Sequence, residues 1–254
     1  MLGEKVNMKT TSNNAITCST DYNYVNYVSN LIRTLEKVDS KIEVFVRLVD
    51  FTDVQINEFK EKYNVNIIID NPNLSEEKTL FKTKNKQELK HVYGIKNILD
   101  IKKVLYSPRS FYTCHSRFKS IKELLEKNYN VLSLDCDTLV LQNFDNIFKQ
   151  ISHDICTVKN PENEDIFSNE GFLYFKNNSK VKEFINNINN FLFENKNYLD
   201  WNGDHKALHN FYNKTLSLRL LNKKYKDKDH NDDSIMWSGD GKNKYEEKFT
   251  SNLG

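Results

Sequence analysis

Residues 131–144, VLSLDCDTLVLQNF, place two aspartates between two apolar runs. A continuous apolar run of this kind is typical of a strand that is buried on both faces of an α/β sheet. Residues i and i+2 of an extended chain point to the same side, so the carboxylates of Asp135 and Asp137 are expected to converge. Ligands of α/β sheets bind outside the carboxyl ends of the strands. The stretch therefore predicts a buried strand that ends at a functional site.

Strand and helix patterns alternate on both sides of this stretch. The predicted strands lie at 15–19, 42–50, 65–70, 131–134, 151–158, 171–176 and 216–221. The predicted helices lie at 25–38, 113–128, 179–195 and 203–212. A further predicted helix begins at Asp53, which is expected to be its N-cap. Residues 74–112 are interpreted as a lysine-rich insertion or lid. Because strands separated by helices favour parallel pairing, we expect an α/β fold with a largely parallel sheet.

Composition limits the classes of function. The chain has 254 residues and a formal net charge of +2, which gives no strong signal for a nucleic-acid partner. We find no apolar run long enough for a transmembrane segment, no visible signal peptide, and four scattered cysteines. A cytoplasmic protein is expected, with a peripheral position at the inner membrane face as an open alternative.

The paired carboxylates indicate a cation. Two adjacent carboxylates repel each other and resist desolvation unless a positive charge compensates them. Oxygen ligands of this kind suit Mn²⁺ or Mg²⁺, which is usually shared with substrate phosphates. The sequence therefore predicts Asp135 and Asp137 as metal ligands. The alternative is a turn at a strand end with two solvated or helix-capping acids.

The apolar run, the Asp-x-Asp pattern and the following apolar run resemble the GT-A nucleotide-sugar glycosyltransferases. The likeness is greatest to glycosyltransferase family 8, which includes bacterial galactosyltransferases and glycogenin, and its motifs span residues 15–244. It implies a Rossmann-like GT-A fold in one domain, 1–254. Residues 15–140 would bind the nucleotide, and residues 141–254 would bind donor sugar and acceptor and contribute a phosphate-contacting tail.

In the first half, three residues after the first strand match the family's Asp-x-Asn-Tyr turn: Asp21, Asn23 and Tyr24. The resemblance implies that the polar residues hold the nucleoside and that the tyrosine stacks on the base. The alternative is an Asx-turn that caps the helix. Arg117 matches an arginine that the family carries before the Asp-x-Asp strand, and its guanidinium suits phosphate or sugar hydroxyls.

In the second half, residues 168–178 resemble the family's Phe-Asn-[Ser/Ala]-Gly strand, with Asn169 and Gly171 retained and Glu170 in place of a small residue. The resemblance implies donor contacts for all three. The stretch GDHKALHNF resembles the family's Asp-Gln-Asp loop and helix. It implies that Asp204 holds a sugar hydroxyl and that His205, which replaces glutamine, lies near the anomeric carbon.

The tail resembles the family's His-x-x-Gly-x-x-Lys motif without its histidine. Two spacings fit, one ending at Lys242 and one ending at Lys244, and either lysine would contact the donor diphosphate. Trp237 is predicted as a further donor contact. The third metal ligand stays open, and the candidates are Ser238, Asp232, Asp233 and His230.

The implied activity is transfer of a hexose from a nucleoside-diphosphate sugar, with uridine as the expected nucleoside, to a hydroxyl acceptor with retention. A glycan, a lipid-linked glycan, a protein and a modified base are all compatible acceptors. Two alternatives remain. The DCDTL peptide also resembles the nucleophile motif of haloacid-dehalogenase-like Mg²⁺-dependent phosphatases, and the departures from the family pattern are compatible with a non-catalytic nucleotide-sugar-binding protein.

Overall fold

The strand predicted from the apolar run is present as β6 (Tyr129–Leu134), and its last four residues are buried. The computed structural model describes residues 13–72, 74, 79–80, 105–106, 108–159, 166–167, 171–200, 202–239 and 247–250. Within these residues β6 lies in the middle of a seven-stranded sheet of order β10-β8-β9-β6-β1-β2-β3. The central position explains why β6 carries apolar residues on both faces.

The bounds of the elements follow the predicted alternation. The strands are β1 (Asn13–Thr20), β2 (Glu43–Val49), β3 (Asn66–Asp70), β4 (Thr79–Leu80), β5 (Leu105–Tyr106), β6, β7 (Thr138–Val140), β8 (Ile155–Val158), β9 (Phe172–Phe175), β10 (Leu218–Leu221) and β11 (Met236–Ser238). The helices are α1 (Val25–Lys37), α2 (Asp53–Lys62), α3 (Pro108–His115), α4 (Arg117–Glu126), α5 (Ile147–Gln150), α6 (Ser179–Asn189), α7 (Gly203–Phe211) and α8 (Glu247–Thr250).

The sheet is mostly parallel, as predicted. In the described sheet β9 runs antiparallel to both of its neighbours, β6 and β8, while the other pairs are parallel. The pairing of β6 with β9 joins the first and second halves of the chain in one sheet. Two hydrophobic clusters cover its two faces: one packs around α1 and α2, and the other around α4, α6 and α7.

Two predicted helix boundaries are wrong. Thr52, not Asp53, caps α2, because its side chain accepts from the backbone N–H of Gln55 and the side chain of Gln55 accepts from the backbone N–H of Thr52. The helix predicted at 113–128 begins earlier and is divided at Ser116. The hydroxyl of Ser116 donates to the carbonyl of Thr113, a local bond of the kind that competes with regular helix.

Most of the segment predicted as an insertion or lid lies outside the described residues. Its end forms α3, which leads directly into α4. None of the helices in the described part of the chain combines the length and apolar composition needed to span a membrane.

A buried arginine connects the sheet with α4. Arg47 lies in β2 and is 2% exposed. Its Nη1 donates to Asp70 at 2.7 Å, its Nε donates to the hydroxyl of Ser120 at 2.8 Å, and its Nη2 pairs with Glu123. Since a buried charge needs complete pairing, this network fixes α4, and with it Arg117 at the start of α4, against β2 and β3.

Replacing Arg47 with methionine is expected to lower the free energy of unfolding by about 3 kcal/mol, because Asp70 would lose its charged partner at 2.7 Å and keep only the hydroxyl of Tyr112 and the more distant Lys119 among its described side-chain partners. Most of this loss of stability should come from the ion pair with Asp70. The pair with Glu123 contributes less, because Glu123 is partly exposed and solvent screens its charge. Urea denaturation measures the effect. Lys41→Met, which removes an exposed pair with Asp39, is the matched control and should leave the midpoint unchanged. Equal shifts of the urea midpoint in Arg47→Met and Lys41→Met would contradict the stabilising role of the Arg47 network.

Candidate functional site

Aspartates lie at the carboxyl end of each of the four parallel strands on one side of the sheet. Asp21 follows β1, Asp50 follows β2, Asp70 ends β3, and Asp135 follows β6. Because β1, β2, β3 and β6 are mutually parallel, these residues share one edge. The order of strands reverses between β1 and β6, and a crevice at such a reversal is the usual ligand position in an open α/β sheet.

Asp135 is held by two cations. Nη1 of Arg117 lies 3.0 Å from its Oδ1, and Nζ of Lys226 lies 3.4 Å from its Oδ2. Both cationic side chains are largely buried, with 14% and 8% exposed, while a quarter of the Asp135 side chain remains exposed. Arg117 is oriented further by its Nε, which donates to the carbonyl of Cys114 at 2.9 Å. Each carboxylate oxygen therefore has its own cationic partner.

The electrostatics of Asp135 follow from these contacts. Burial at the end of β6 opposes ionisation, but Lys226 and Arg117 outweigh it and lower the pKa of the carboxyl below its ordinary value. Asp135 is consequently a carboxylate at neutral pH. Taken alone, the carboxylate of Asp135 and its two cations carry a net charge of +1, which suits an anionic ligand.

Gly171 permits this arrangement. Its carbonyl accepts from the backbone N–H of Asp135 at 3.1 Å, immediately before β9. A Cβ at position 171 would overlap Oδ2 of Asp135 and Nζ of Lys226, and would lie 2.7 Å from Cγ of Asp135. The glycine predicted from the motif is thus required by close approach, because a larger residue would occupy the space in which the lysine meets the aspartate.

Asp204 lies near the same cluster, at the start of α7. It is 4% exposed, and its Oδ1 accepts from the backbone N–H of His205 at 2.9 Å and lies 3.5 Å from Nε2 of His115. Burial disfavours its charge, but His115 and Arg117 outweigh burial and lower the pKa of Asp204 to about 2. Arg117 therefore stabilises the charges of both Asp135 and Asp204.

The proton of His115 is placed by its hydrogen bonds. Nδ1 lies 2.7 Å from the carbonyl oxygen of Phe111, which can only accept, so Nδ1 carries hydrogen. Nε2 then faces Asp204, and a proton there turns a repulsive contact into an ion pair. Burial lowers the pKa of His115, but Asp204 outweighs it and raises the pKa above its ordinary value.

The predicted nucleoside contacts lie at the end of β1. Asp21 is 2% exposed, and its Oδ1 accepts from the backbone N–H of Asn23, so this aspartate caps the short 3₁₀ helix Tyr22–Tyr24. The alternative of an Asx-turn is therefore correct for its local bonding, and a nucleoside contact stays a prediction. Tyr24 has 39% of its surface exposed at this edge. Its ring packs against that of Tyr27, at a centroid distance of 5.7 Å.

The second aspartate of the motif leads into a separate two-stranded sheet. β7 begins at Thr138 and pairs antiparallel with β11, with Ser238 opposite Thr138. The carbonyl of Asp137 accepts from the backbone N–H of Gly239 at 2.9 Å. Ser238 is fully buried, and its hydroxyl makes no hydrogen bond within the described chain. The tail motif predicted to complete the site therefore begins beside Asp137.

Of the other candidates for the third metal ligand, two are exposed, and His230 packs beside Ser238. Asp232 is exposed, and Asp233 is exposed and pairs with Lys224. The ring of His230 stacks between Trp237 and Phe249, at centroid distances of 5.2 and 5.1 Å, and its Nε2 lies 3.0 Å from the carbonyl oxygen of Ser238.

Trp237 was predicted as a donor contact. It is 4% exposed, and its Nε1 donates to the carbonyl of Asn231 at 2.8 Å. Its indole packs with Leu139 and Phe249 in a small hydrophobic cluster. The described contacts thus hold β11 against β7, and a donor contact for Trp237 stays a prediction.

The residues present fit a divalent ion poorly. No three His, Cys, Asp or Glu side chains within the described ranges come together as a possible metal site. Both oxygens of Asp135 are occupied by cations. Unit charges ~4 Å apart interact by about 4 kcal/mol at an effective dielectric constant of ~20, so an ion of charge +2 beside Lys226 would meet about twice that repulsion. Within the described residues, the metal predicted from the sequence therefore lacks a set of three such ligands.

Sequence reasoning missed Lys226, His115 and the ion pair of Arg109 with Asp50. Lys226 lies in the lysine-rich stretch KKYKDKD, where residue type gave no signal. By contrast, the structure brings together four predicted residues, namely Arg117, Asp135, Gly171 and Asp204. Four other predicted residues, Asn169, Glu170, Lys242 and Lys244, lie outside the described residues.

Comparison with sequence families gives one match. The sequence model of the family described as nucleotide-diphospho-sugar transferase matches residues 76–245, which is more than half of the chain. This range includes Arg117, Asp135, Asp204 and Lys226. No match to a curated protein sequence was found.

Solved structures share the fold. The galactosyltransferase LgtC, in complex with donor and acceptor sugar analogues, is 14% identical with a TM-score of 0.56, covering 94% of this chain and 95% of that chain. The bifunctional glycosyltransferase WbbM is 13% identical with a TM-score of 0.54, covering 98% and 51%. The glycosyltransferase GlyE of Streptococcus pneumoniae TIGR4 is 13% identical with a TM-score of 0.51, covering 84% and 46%.

The chain thus spans about half the length of the GlyE and WbbM chains and nearly all of LgtC. At these sequence identities the structural similarity is evidence for the fold alone. It confirms the predicted α/β architecture of GT-A type, with a mostly parallel sheet flanked by helices.

The ion pair of His115 and Asp204 predicts a pH-dependent contribution to stability. For His115, whose pKa is raised, the contribution to stability is complete below pH 6.5 and is lost as pH rises through the folded-state pKa. For Asp204, whose pKa is lowered, the contribution to stability is complete above pH 3.8 and is lost as pH falls towards about 2. His115→Gln should therefore cost most between these limits, about 3 kcal/mol, and progressively less at higher pH.

Urea denaturation of the wild type and of His115→Gln at several pH values from about 5 to about 9 measures this difference. The double variant with Asp204→Asn is the control, since it removes both partners and should abolish the coupling between them. A difference that stays constant with pH would contradict the ion pair.

Gly171→Ala is expected to destabilise the protein by about 1–3 kcal/mol, because the added methyl group overlaps the contact between Asp135 and Lys226. The measurement is again the free energy of unfolding in urea. An alanine variant as stable as the wild type would show that the lysine and the aspartate do not meet at this position.

Proposed function

The chain belongs to the nucleotide-diphospho-sugar transferase family, and on that premise we propose that it transfers a hexose from a uridine-diphosphate sugar to a hydroxyl acceptor at the crevice between β1 and β6. The observation that carries the proposal is the cluster of Arg117, Lys226 and Asp135 at this position. Its net positive charge and its place at the reversal of strand order fit a diphosphate.

The chemistry requires stabilisation of a leaving group. The bond between the anomeric carbon and the diphosphate oxygen breaks, and its electron pair stays on that oxygen. The acceptor hydroxyl oxygen forms the new bond to the anomeric carbon, and its proton passes to the released diphosphate. Because negative charge develops on the diphosphate, preorganised cations that contact it lower the barrier. Arg117 is such a cation, since its guanidinium is held by Cys114 and Asp135 before a ligand arrives.

The remaining roles follow the family resemblance. Asp21, Asn23 and the exposed ring of Tyr24 would hold the nucleoside at the end of β1. Asp204 would accept a hydrogen bond from a sugar hydroxyl, for which its lowered pKa keeps it ionised. His205 follows Asp204 on α7, with its ring centroid 4.7 Å from that of His209. It would lie nearest the anomeric carbon.

Retention is part of the proposal and also rests on the resemblance. It would proceed by front-face attack, in which the departing phosphate receives the acceptor proton. In that mechanism no protein base is needed on the far side of the sugar. Anomeric analysis of the product by NMR distinguishes retention from inversion.

The divalent ion stays a prediction from the sequence. Mn²⁺ or Mg²⁺ would neutralise the diphosphate if bound by Asp137 together with donor oxygens. Since Asp135 is already paired with two cations, no step of the proposed transfer is derived through a metal.

Of the two alternatives, the phosphatase requires the acidic motif to open the first strand of its domain. In the described structure β1, β2 and β3 precede β6, and the matching family is a transferase. We therefore favour sugar transfer over phosphoester hydrolysis. A non-catalytic protein would bind the nucleotide sugar without turning it over, so a turnover assay tests this alternative directly.

Release of uridine diphosphate from a panel of nucleotide sugars tests the proposal, with hydrolysis of the donor as the readout when the acceptor is unknown. We expect a uridine-linked hexose to be turned over and to raise the melting temperature. Arg117→Met should lower turnover on the order of 10²-fold, because one preorganised donor is lost.

The matched control is Arg219→Met, which changes an exposed arginine on the edge strand β10 and should leave turnover unchanged. A melting-temperature increase without release of uridine diphosphate would favour the non-catalytic alternative. Hydrolysis of phosphomonoesters without any effect of nucleotide sugars would contradict the proposal.

A further inference from the structure

Lys226 is held in place by the loop that carries it. Its backbone N–H donates to the carbonyl of Lys223 at 3.0 Å and ends the short 3₁₀ helix Lys223–Tyr225, which Asn222 caps. The ring of the preceding residue, Tyr225, packs edge-on against Phe172 of β9, at a centroid distance of 5.7 Å. The residue before Lys226 is thus anchored to the strand that follows Gly171.

The residue after Lys226 is anchored more firmly still. Asp227 is 2% exposed, and its carboxylate accepts from the backbone N–H groups of Asp229 and Asn231, the amide of Asn231 and the hydroxyl of Ser234. Its backbone N–H donates to Met236, and its carbonyl accepts from Ser238. Fixed on both sides, Lys226 has a defined position without a ligand.

The side chain of Lys226 points into the protein. It is 8% exposed, which is unusual for a lysine, and its ammonium lies beside Oδ2 of Asp135 in the space left by Gly171. An ammonium is a compact charge with three donors and no acceptor. Donation to Asp135 uses one hydrogen, so donors remain for oxygens of a bound anion.

From this arrangement we propose that Lys226 supplies, at the first aspartate of the motif, the positive charge that the sequence pattern assigns to a divalent ion, and that sugar transfer needs no metal. The inference rests on the proposed function and departs from the metal dependence expected of the family. Oδ2 of Asp135 lies 3.4 Å from the Lys226 ammonium, and Oδ1 lies 3.0 Å from the Arg117 guanidinium, so each oxygen that could ligate a divalent ion already faces a cation.

In the transfer step, Lys226 and Arg117 act on the same group. As the bond to the anomeric carbon breaks, the electron pair remains on the diphosphate oxygen and adds one negative charge. The ammonium donates a hydrogen bond to the diphosphate without losing its proton, and the acceptor proton passes to the released diphosphate. No metal or other co-reactant enters this balance. Stabilisation is electrostatic, from charges that are in place before the reaction.

The experiment has two readouts, both on the full chain. The first is release of uridine diphosphate from the donor identified above, with EDTA and then with added Mn²⁺ or Mg²⁺. The second is the dissociation constant of uridine diphosphate by calorimetry under the same conditions. We expect the wild type to keep its turnover and its affinity in EDTA.

Lys226→Met is expected to lower turnover on the order of 10²-fold and to weaken binding of uridine diphosphate about tenfold in EDTA, while Lys226→Arg retains part of both. Lys223→Met is the matched control, because this exposed lysine lies in the same loop and pairs with Asp229. Circular dichroism and the melting temperature verify that each variant is folded.

Loss of wild-type turnover and affinity in EDTA, with recovery on adding Mn²⁺, would overturn the inference while supporting the proposed function. Equal effects of Lys226→Met and Lys223→Met would also overturn it. The wild-type measurement decides the question even where Lys226→Met does not fold. If no nucleotide sugar binds or is turned over under either condition, the proposed function fails, and the inference fails with it.

Discussion

The carboxylate of Asp135 lies at the end of a strand that is buried on both faces, where a negative charge must be compensated by neighbouring groups. Two cations provide that compensation from opposite directions. Arg117 comes from the start of α4, and Lys226 comes from a loop near the end of the chain. The carboxylate therefore joins elements that are distant in sequence, and it gives the crevice between β1 and β6 its charge.

Several other features support this single contact. The network of Arg47 holds α4 against β2 and β3, which fixes the origin of Arg117. The backbone of Asp227 ties the loop of Lys226 to β11, and its carboxylate accepts from Asn231 and Ser234 in the segment before that strand. Gly171 leaves the space in which the lysine meets Asp135. Each of these features is a buried polar contact or a close approach of atoms, and each therefore tolerates little change in the positions of its partners.

The sequence predicted the central strand and the sheet because their apolar runs depend on local pattern. The family motifs also singled out Arg117, Asp135, Gly171 and Asp204, which the structure brings together at strand ends or helix starts, while their functional roles stay predictions. The sequence did not predict Lys226, since a lysine among other lysines gives no sign of burial. It did not predict His115 either, because the pairing of His115 with Asp204 depends on how α3 and α7 pack.

The most direct test is the crystal structure of the protein with uridine diphosphate, grown in EDTA. The account predicts diphosphate oxygens within hydrogen-bond distance of the Arg117 guanidinium and the Lys226 ammonium, at the carboxyl end of β6. A nucleotide bound elsewhere on the chain would contradict the account. So would a nucleotide at β6 from which the Lys226 side chain has turned away.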